Sequence, residues 1–204
     1  LLGFLLRPES HLAGAVLDAA VRHLDRFAAE LGPYPWGKLA VIERAGTGTG
    51  AGATPSIPSF AVLDRAALTS PVPGFDAALA REIARGWWGH GVLPLAGEPS
   101  WEEGLLTCLV DHRLATERGE DRALRVRLVG EVVAGAGTAP RVAMVFHMLE
   151  ETVGREPFRS ALRDLAAEHG HERVGWRVLA SRLGAVAGER LEGFFDQWLG
   201  RAGA

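Results

Sequence analysis

At 204 residues, with 48% of them apolar and a net charge of only −3, the chain is long enough for one domain, or one domain with two lobes, around a substantial core. No basic excess and no long block of one sign is present to hold phosphates, so nucleic acid is not an expected partner. The lone cysteine, Cys108, excludes an internal disulfide and a Cys-based metal site and leaves the compartment unknown. No apolar run approaches the ~20 residues that a membrane helix needs, so no membrane insertion by this segment is expected.

The chain begins at Leu rather than Met, which reads as a piece of something longer. Its first six apolar residues suit the last strand of a preceding domain, and residues 1–10 are assigned to such an end or to a linker. From Leu12 to Leu31, Leu17, Val21, Leu24, Ala28 and Leu31 recur at three and four, the period of an amphipathic helix, and Gly32-Pro33 stops it. Lys38 to Glu43 and Phe60 to Leu63 are predicted strands. Between them, Gly46 to Pro55 is a glycine-rich loop in which Gly48, Gly50 and Ala53 formally match a dinucleotide fingerprint. Pro55 and Pro58 fall where the helix of that motif would continue and would remove its hydrogen bonds, so the match is rejected.

After Pro73-Gly74 the pattern is helix after helix: Ala77 to His90, Ser100 to Glu117, Arg122 to Val133, and Ala139 to Glu151, the last apolar on nearly every side and so buried. Pro157 suits a first turn ahead of Phe158, Leu162 and Leu165, with Gly170 as the stop. Trp176 to Leu183 and Leu191 to Leu199 complete the series. A short strand region (about 34–75) followed by a helical part (about 76–204) within one domain, 11–204, predicts an α+β fold.

The informative words are Arg81-Glu82-Ile83-Ala84-Arg85-Gly86-Trp87-Trp88-Gly89 and, after seventeen residues from Arg85 to Glu103, Trp101-Glu102-Glu103-Gly104. In H-E-x-x-H, two histidines one helical turn apart bind one zinc while the Glu between them polarises a water. Here the Glu stands and both histidines are arginines. A guanidinium carries its charge at any physiological pH and has no lone pair for a cation. Even so, the flanking words and the spacing resemble the aminopeptidase N-like gluzincins, a family of zinc metallopeptidases whose third ligand is the Glu of W-x-x-E-G. Arg141 to Leu149 resembles the family's Y-x-K-G-A segment and the helix it opens, and Phe194-Phe195-Asp196-Gln197-Trp198-Leu199 resembles the segment closing the catalytic domain. The likeness begins near Gly32-Pro33-Tyr34-Pro35-Trp36.

The resemblance implies a thermolysin-like catalytic domain with a small N-terminal sheet region and a mostly helical lobe. It places the former ligands at Arg81, Arg85 and Glu103, the vestigial catalytic Glu at Glu82, and the tyrosine that stabilises the tetrahedral intermediate at Ala139. The family also anchors a substrate amino terminus with a Glu ahead of the catalytic helix, and no acidic residue occurs between Glu43 and Asp64. Zinc, the cofactor of the family, is therefore not expected in this chain.

Each feature also has a structural reading. Glu82 and Arg85 form an ordinary i,i+3 ion pair, and Ser100 with Glu103 makes a capping box at a helix start. His90 and His112 lie off the face where zinc would sit, His147 belongs to an apolar helix as a satisfied core histidine, and His169-Gly170-His171 is a loop with too few ligands. Glu82 and Glu103 as a metal-free acid and base are set aside, since flanking arginines hold both ionised. An arginine, Arg85 before Arg81, is expected to take the charge role of zinc opposite Glu103. The sequence thus predicts a pseudopeptidase serving as a structural or protein- or peptide-binding module, with Arg81, Arg85, Glu82, Glu103 and Trp88 as cleft candidates and a peptide segment or neighbouring protein domain as partner. The alternative is an active metallo-aminopeptidase-like hydrolase with an atypical metal site.

Overall fold

The computed structural model describes residues 1–6, 10–45, 57–69, 74–188 and 191–199. Two compact units divide the chain, Leu1–His90 and Gly91–Ala204. The glycine-rich loop at 46–55 lies outside the described residues.

In the first unit, β1 (Leu2–Phe4), β2 (Ala40–Arg44) and β3 (Phe60–Asp64) form a parallel sheet in that order, with Leu2 opposite Ala40 and Ala40 opposite Phe60. The leading apolar hexamer therefore contributes a strand to this chain's own sheet. Helix α1 (Ser10–Leu31) starts two residues before its expected position. Its buried face runs through Val16, Ala19, Ala20, His23, Phe27 and Leu31, whereas Val21 is 45% exposed. The inward stripe is thus rotated by about one residue from the one predicted, because His23 is part of it and a hydrophobicity count omits histidine. Its imidazole is placed 3.0 Å from Asp76 in the first turn of α3 (Gly74–Ala84). The short α2 (Arg65–Leu68) is capped by Asp64, whose Oδ1 accepts from the Ala67 amide at 2.8 Å. Buried Glu43 on β2 accepts from the Leu6 amide at 2.8 Å and from Arg65 at 3.3 Å, tying the end of β1 and the start of α2 to the central strand.

The second unit opens with β4 (Leu93–Pro94) and then a rod of three parts: α4 (Glu102–Leu106), a six-residue π-helical stretch Thr107–His112, and α5 (Arg113–Glu117). One helix over Ser100 to Glu117 was expected, and the π-helical insertion within it was not. Helices α6 (Asp121–Val133), α7 (Ala139–Val153), α8 (Arg155–Glu168), α9 (Trp176–Ala187) and α10 (Glu192–Leu199) follow close to the predicted positions. Buried Val142, Val145, Phe146 and Leu149 make α7 a core helix, as its all-round apolarity implied. Gly154 separates α7 from α8 at φ 88°, ψ 153°, a conformation open essentially to glycine alone. Pro157 falls in the first turn of α8, which begins at Arg155. The stop at its far end is His169 rather than Gly170.

Strand β4 pairs in parallel with β5 (Arg173–Val174), a two-residue element with no expectation in the sequence. Around it, Trp101 Nε1 donates to the Val174 carbonyl at 2.8 Å, Trp176 Nε1 donates to the Pro99 carbonyl at 2.8 Å, and the Glu98 carboxylate accepts from the Trp176 amide at 2.8 Å. No helix among the described residues is long and apolar enough to cross a membrane.

Candidate functional site

Helix α3 carries Arg81 and Glu82 and ends at Ala84, short of the His90 expected from sequence. Arg85 still donates its backbone N–H to the Arg81 carbonyl at 3.0 Å, so the two arginines remain one α-turn apart. The helix then breaks into a turn in which the Gly86 amide reaches Ile83 and the Trp87 amide reaches Ala84.

The 32–36 segment holds that turn. Trp87 Nε1 donates to the Gly32 and Pro33 carbonyls, both at 3.0 Å, and Trp36 Nε1 donates to the Gly86 carbonyl at 3.0 Å. Tyr34 packs edge-on against Trp87 with ring centroids 4.9 Å apart, and its burial pushes the phenol pKa up to about 12. A Cβ at Gly86 would stand 2.5 Å from Tyr34 Cε2 and 2.9 Å from the Ile83 carbonyl oxygen, so only glycine lets the aromatic segment close over the turn. Trp88 is fully buried. It offers packing rather than surface to a ligand.

Arg85 Nη1 donates to Glu82 Oε1 at 2.5 Å, with the two side chains only 11% and 12% exposed. The i,i+3 pairing read from the sequence is therefore present, and it is a shielded, charge-assisted contact instead of a solvated one. Arg81 is half-buried on the same helix. Arg81 and Arg85 offer no lone pair to a cation, and Glu82 is engaged by one of them, so these three side chains do not make a donor set that fits zinc. Among the described residues no group of three or more His, Cys, Asp or Glu side chains is arranged to hold a metal ion.

Glu103 and Ala139 belong to the second unit, at the start of α4 and of α7 respectively. The capping box expected at Ser100 is not made: the helix is entered through Trp101, and the Ser100 hydroxyl accepts from the Glu102 amide at 3.3 Å instead of from Glu103. One residue's difference in where the helix begins moves Glu103 out of the third-position geometry that a capping box needs. Its side chain is exposed, so its charge is not a buried one. Neighbouring Gly104 has a structural task. A Cβ on it would lie 2.3 Å from Val142 Cγ1 and 2.7 Å from the Ala143 amide nitrogen, so glycine lets α4 lie directly on α7.

Sequence reasoning weighed the histidines one at a time and missed a pair. His112, the last residue of the π-helical stretch, and His147 on α7 face each other with ring centroids 4.0 Å apart, both buried. His147 is in the core, as expected, but its Nδ1 has no hydrogen-bond partner among the described residues, and neither ring nitrogen of His112 has one. Burial depresses both imidazole pKa values, a charge on one ring would disfavour a second charge on the other, and Arg125 acts in the same direction on both. One π-turn earlier, buried Cys108 contacts Glu150 at 3.4 Å, and Glu150 is also reached by Arg159 at 3.3 Å and Arg155 at 3.5 Å. Burial, with the Glu150 charge added, raises the thiol well above its ordinary pKa, which leaves it unreactive. The spacing of Cys108 and His112 was visible in the sequence, but the π-helical insertion that aims both at α7 was not.

No family model matches the chain, and no curated protein matches it. Among solved structures its fold is similar to that of M1 zinc metallopeptidases, the class to which aminopeptidase N-type gluzincins belong. Crystal structures of an M1 zinc metallopeptidase from Deinococcus radiodurans and of a point mutant of it superpose with TM-scores of 0.67 and 0.68 at 18% identity, covering 89% of this chain and 43% and 44% of those chains. The mutant bound to a Tyr-Ser-Ala substrate gives a TM-score of 0.66 at 17% identity, with 87% of this chain and 43% of that one covered. The likeness is one of fold, and this chain spans under half the length of those proteins.

Proposed function

We propose that this chain is a peptidase-like domain that binds rather than cleaves, a pseudopeptidase with the thermolysin-like lobe of the gluzincins. The observation that carries the proposal is the Glu82–Arg85 contact at 2.5 Å. In a zinc peptidase the corresponding carboxylate must be available to take a proton from the attacking water. Here it is engaged by a permanently charged donor, and with Ala139 at the tyrosine position the oxyanion has no phenol to meet it. The solved neighbour described as bound to a tripeptide substrate suggests peptides as the ligand class for the ancestral cleft. Arg81 and Arg85 bias such a site toward carboxylate-bearing segments and away from the ammonium group of a free amino terminus.

Metal content and hydrolysis are the deciding measurements, on protein purified without a His tag or chelator. The expected result is no stoichiometric zinc by elemental analysis and no turnover of aminoacyl or peptide substrates. About one zinc per chain with turnover would establish the alternative, a hydrolase with an atypical metal site. Binding is tested separately on a peptide array with the wild type and an Arg81→Glu, Arg85→Glu variant. Acidic peptides should be retained by the wild type and lost by the variant, and equal retention by both removes the cleft from the proposal.

A further inference from the structure

We propose that His112 and His147 form a proton-operated release in the second unit, clamping the rod that begins at Glu102 against α7 when both rings are neutral and loosening it when either is protonated. The two rings are 7% and 6% exposed and meet at 4.0 Å, so they pack as a neutral aromatic contact. A proton added to either would place a charge where Nδ1 and Nε2 of His112 and Nδ1 of His147 find no acceptor among the described residues. Such a charge is costly unless a counter-ion is at hand.

The charged groups around the pair do not supply one. On α7, Glu150 is already engaged by Arg155, Arg159 and the Cys108 thiol, and Glu151 is exposed to solvent. On α6, Asp121 is paired with Arg125 at 2.7 Å, and the Arg125 charge itself disfavours an imidazolium. Glu150, Glu151 and Asp121 work in the opposite direction but do not outweigh burial. Location gives the pair its leverage. His112 ends the π-helical stretch that continues α4, and such insertions interrupt the regular ladder at a point where a helix can shift.

The sign follows from the depressed pKa values. Contact between the rods is fully favoured above the ordinary histidine value, about 6.5, and is lost as pH falls below it through the lowered values in the folded chain. For each proton taken up, the opening constant rises by up to about tenfold per pH unit across that window.

Hydrogen exchange of the intact chain, corrected for the intrinsic pH effect, tests this between pH 7.5 and 5.5. Amides of Thr107–Glu117 and α7 are expected to lose protection ahead of those in α8 and α9. Uniform loss across the second unit, or none in these segments, overturns the proposal. Each single variant, His112→Gln or His147→Gln, leaves one titrating ring and should weaken the pH dependence of that local opening; the double variant, which cannot charge, should abolish it, and persistence in the double variant would also overturn the proposal. Should either variant fail to fold, the wild-type ring carbon shifts decide: both imidazoles must titrate below the ordinary range, and a titration at or above it sinks the idea.

Discussion

Glu82 is held by the residue three positions after it, and the proposed loss of peptidase chemistry rests on that contact. Both partners are nearly shut off from solvent, so removing one takes a shielded, charge-assisted contact from the other. Arg85→Met is expected to cost about 2–4 kcal/mol in chemical denaturation, and the double variant Glu82→Leu, Arg85→Met less than the sum of the two single changes. An additive double-mutant cycle would show that the pair is not a coupled unit. By contrast, Glu103→Ala should change stability by under about 1 kcal/mol, because its side chain is exposed. The pair was legible because residues three apart on a helix are neighbours by construction. Ser100 and Glu103 looked as clear, yet a helix start displaced by one residue undid the capping box, since caps depend on the very position that sequence places least well. The facing of His112 and His147 was illegible for another reason: they are 35 positions apart in sequence on different helices, and no local period connects them.

Among the elements, long amphipathic helices were readable because many residues repeat the same message, and the five-residue strands β2 and β3 fall close to where they were predicted, while the two-residue elements were not readable. α1, α6, α7 and α9 fall where periodicity placed them, with ends moved by a few residues. β4 and β5, two residues each, are too short to express alternation and exist because they find each other. The meeting of α4 and α7 shows how one residue can govern an element. At Gly104 the approach is close enough that a methyl group would fall on both the Val142 side chain and the backbone of Ala143. Gly104→Ala is therefore expected to destabilise the protein by about 1–3 kcal/mol despite the better helix propensity of alanine, because the clash includes backbone that cannot swing aside. A midpoint unchanged or raised in a denaturant titration would mean that the two helices separate easily. The same glycine belongs to the W-E-E-G words that support the family resemblance, so part of that signature has a packing reason independent of metal.

Taken whole, the mixed helix and strand arrangement expected from sequence is present and is similar to an M1 peptidase domain. Order along the chain was legible because each segment declares its own type; partnership between distant segments was not, because it is decided only on closing. The β4–β5 junction illustrates the point. Arg173 also donates to the Pro94 carbonyl at 3.1 Å, a contact spanning 79 residues, and the Trp101, Glu98 and Trp176 contacts join the same two stretches of chain. Drawing together the ends of a loop that size forfeits about 4 kcal/mol of chain entropy in its length-dependent part, whereas the helices within it need only local contacts. A buckle of this kind is fastened after the material it encloses has gathered. Glu98→Gln and Trp101→Phe are accordingly expected to quicken unfolding in stopped-flow measurements while leaving the refolding rate within about twofold, the behaviour of contacts absent from the transition state. Slower refolding in either variant would place the junction in the nucleus. The buckle thus sets how long the second unit survives once folded, because contacts absent from the transition state return their whole contribution to the depth of the energy well as a slower escape from it.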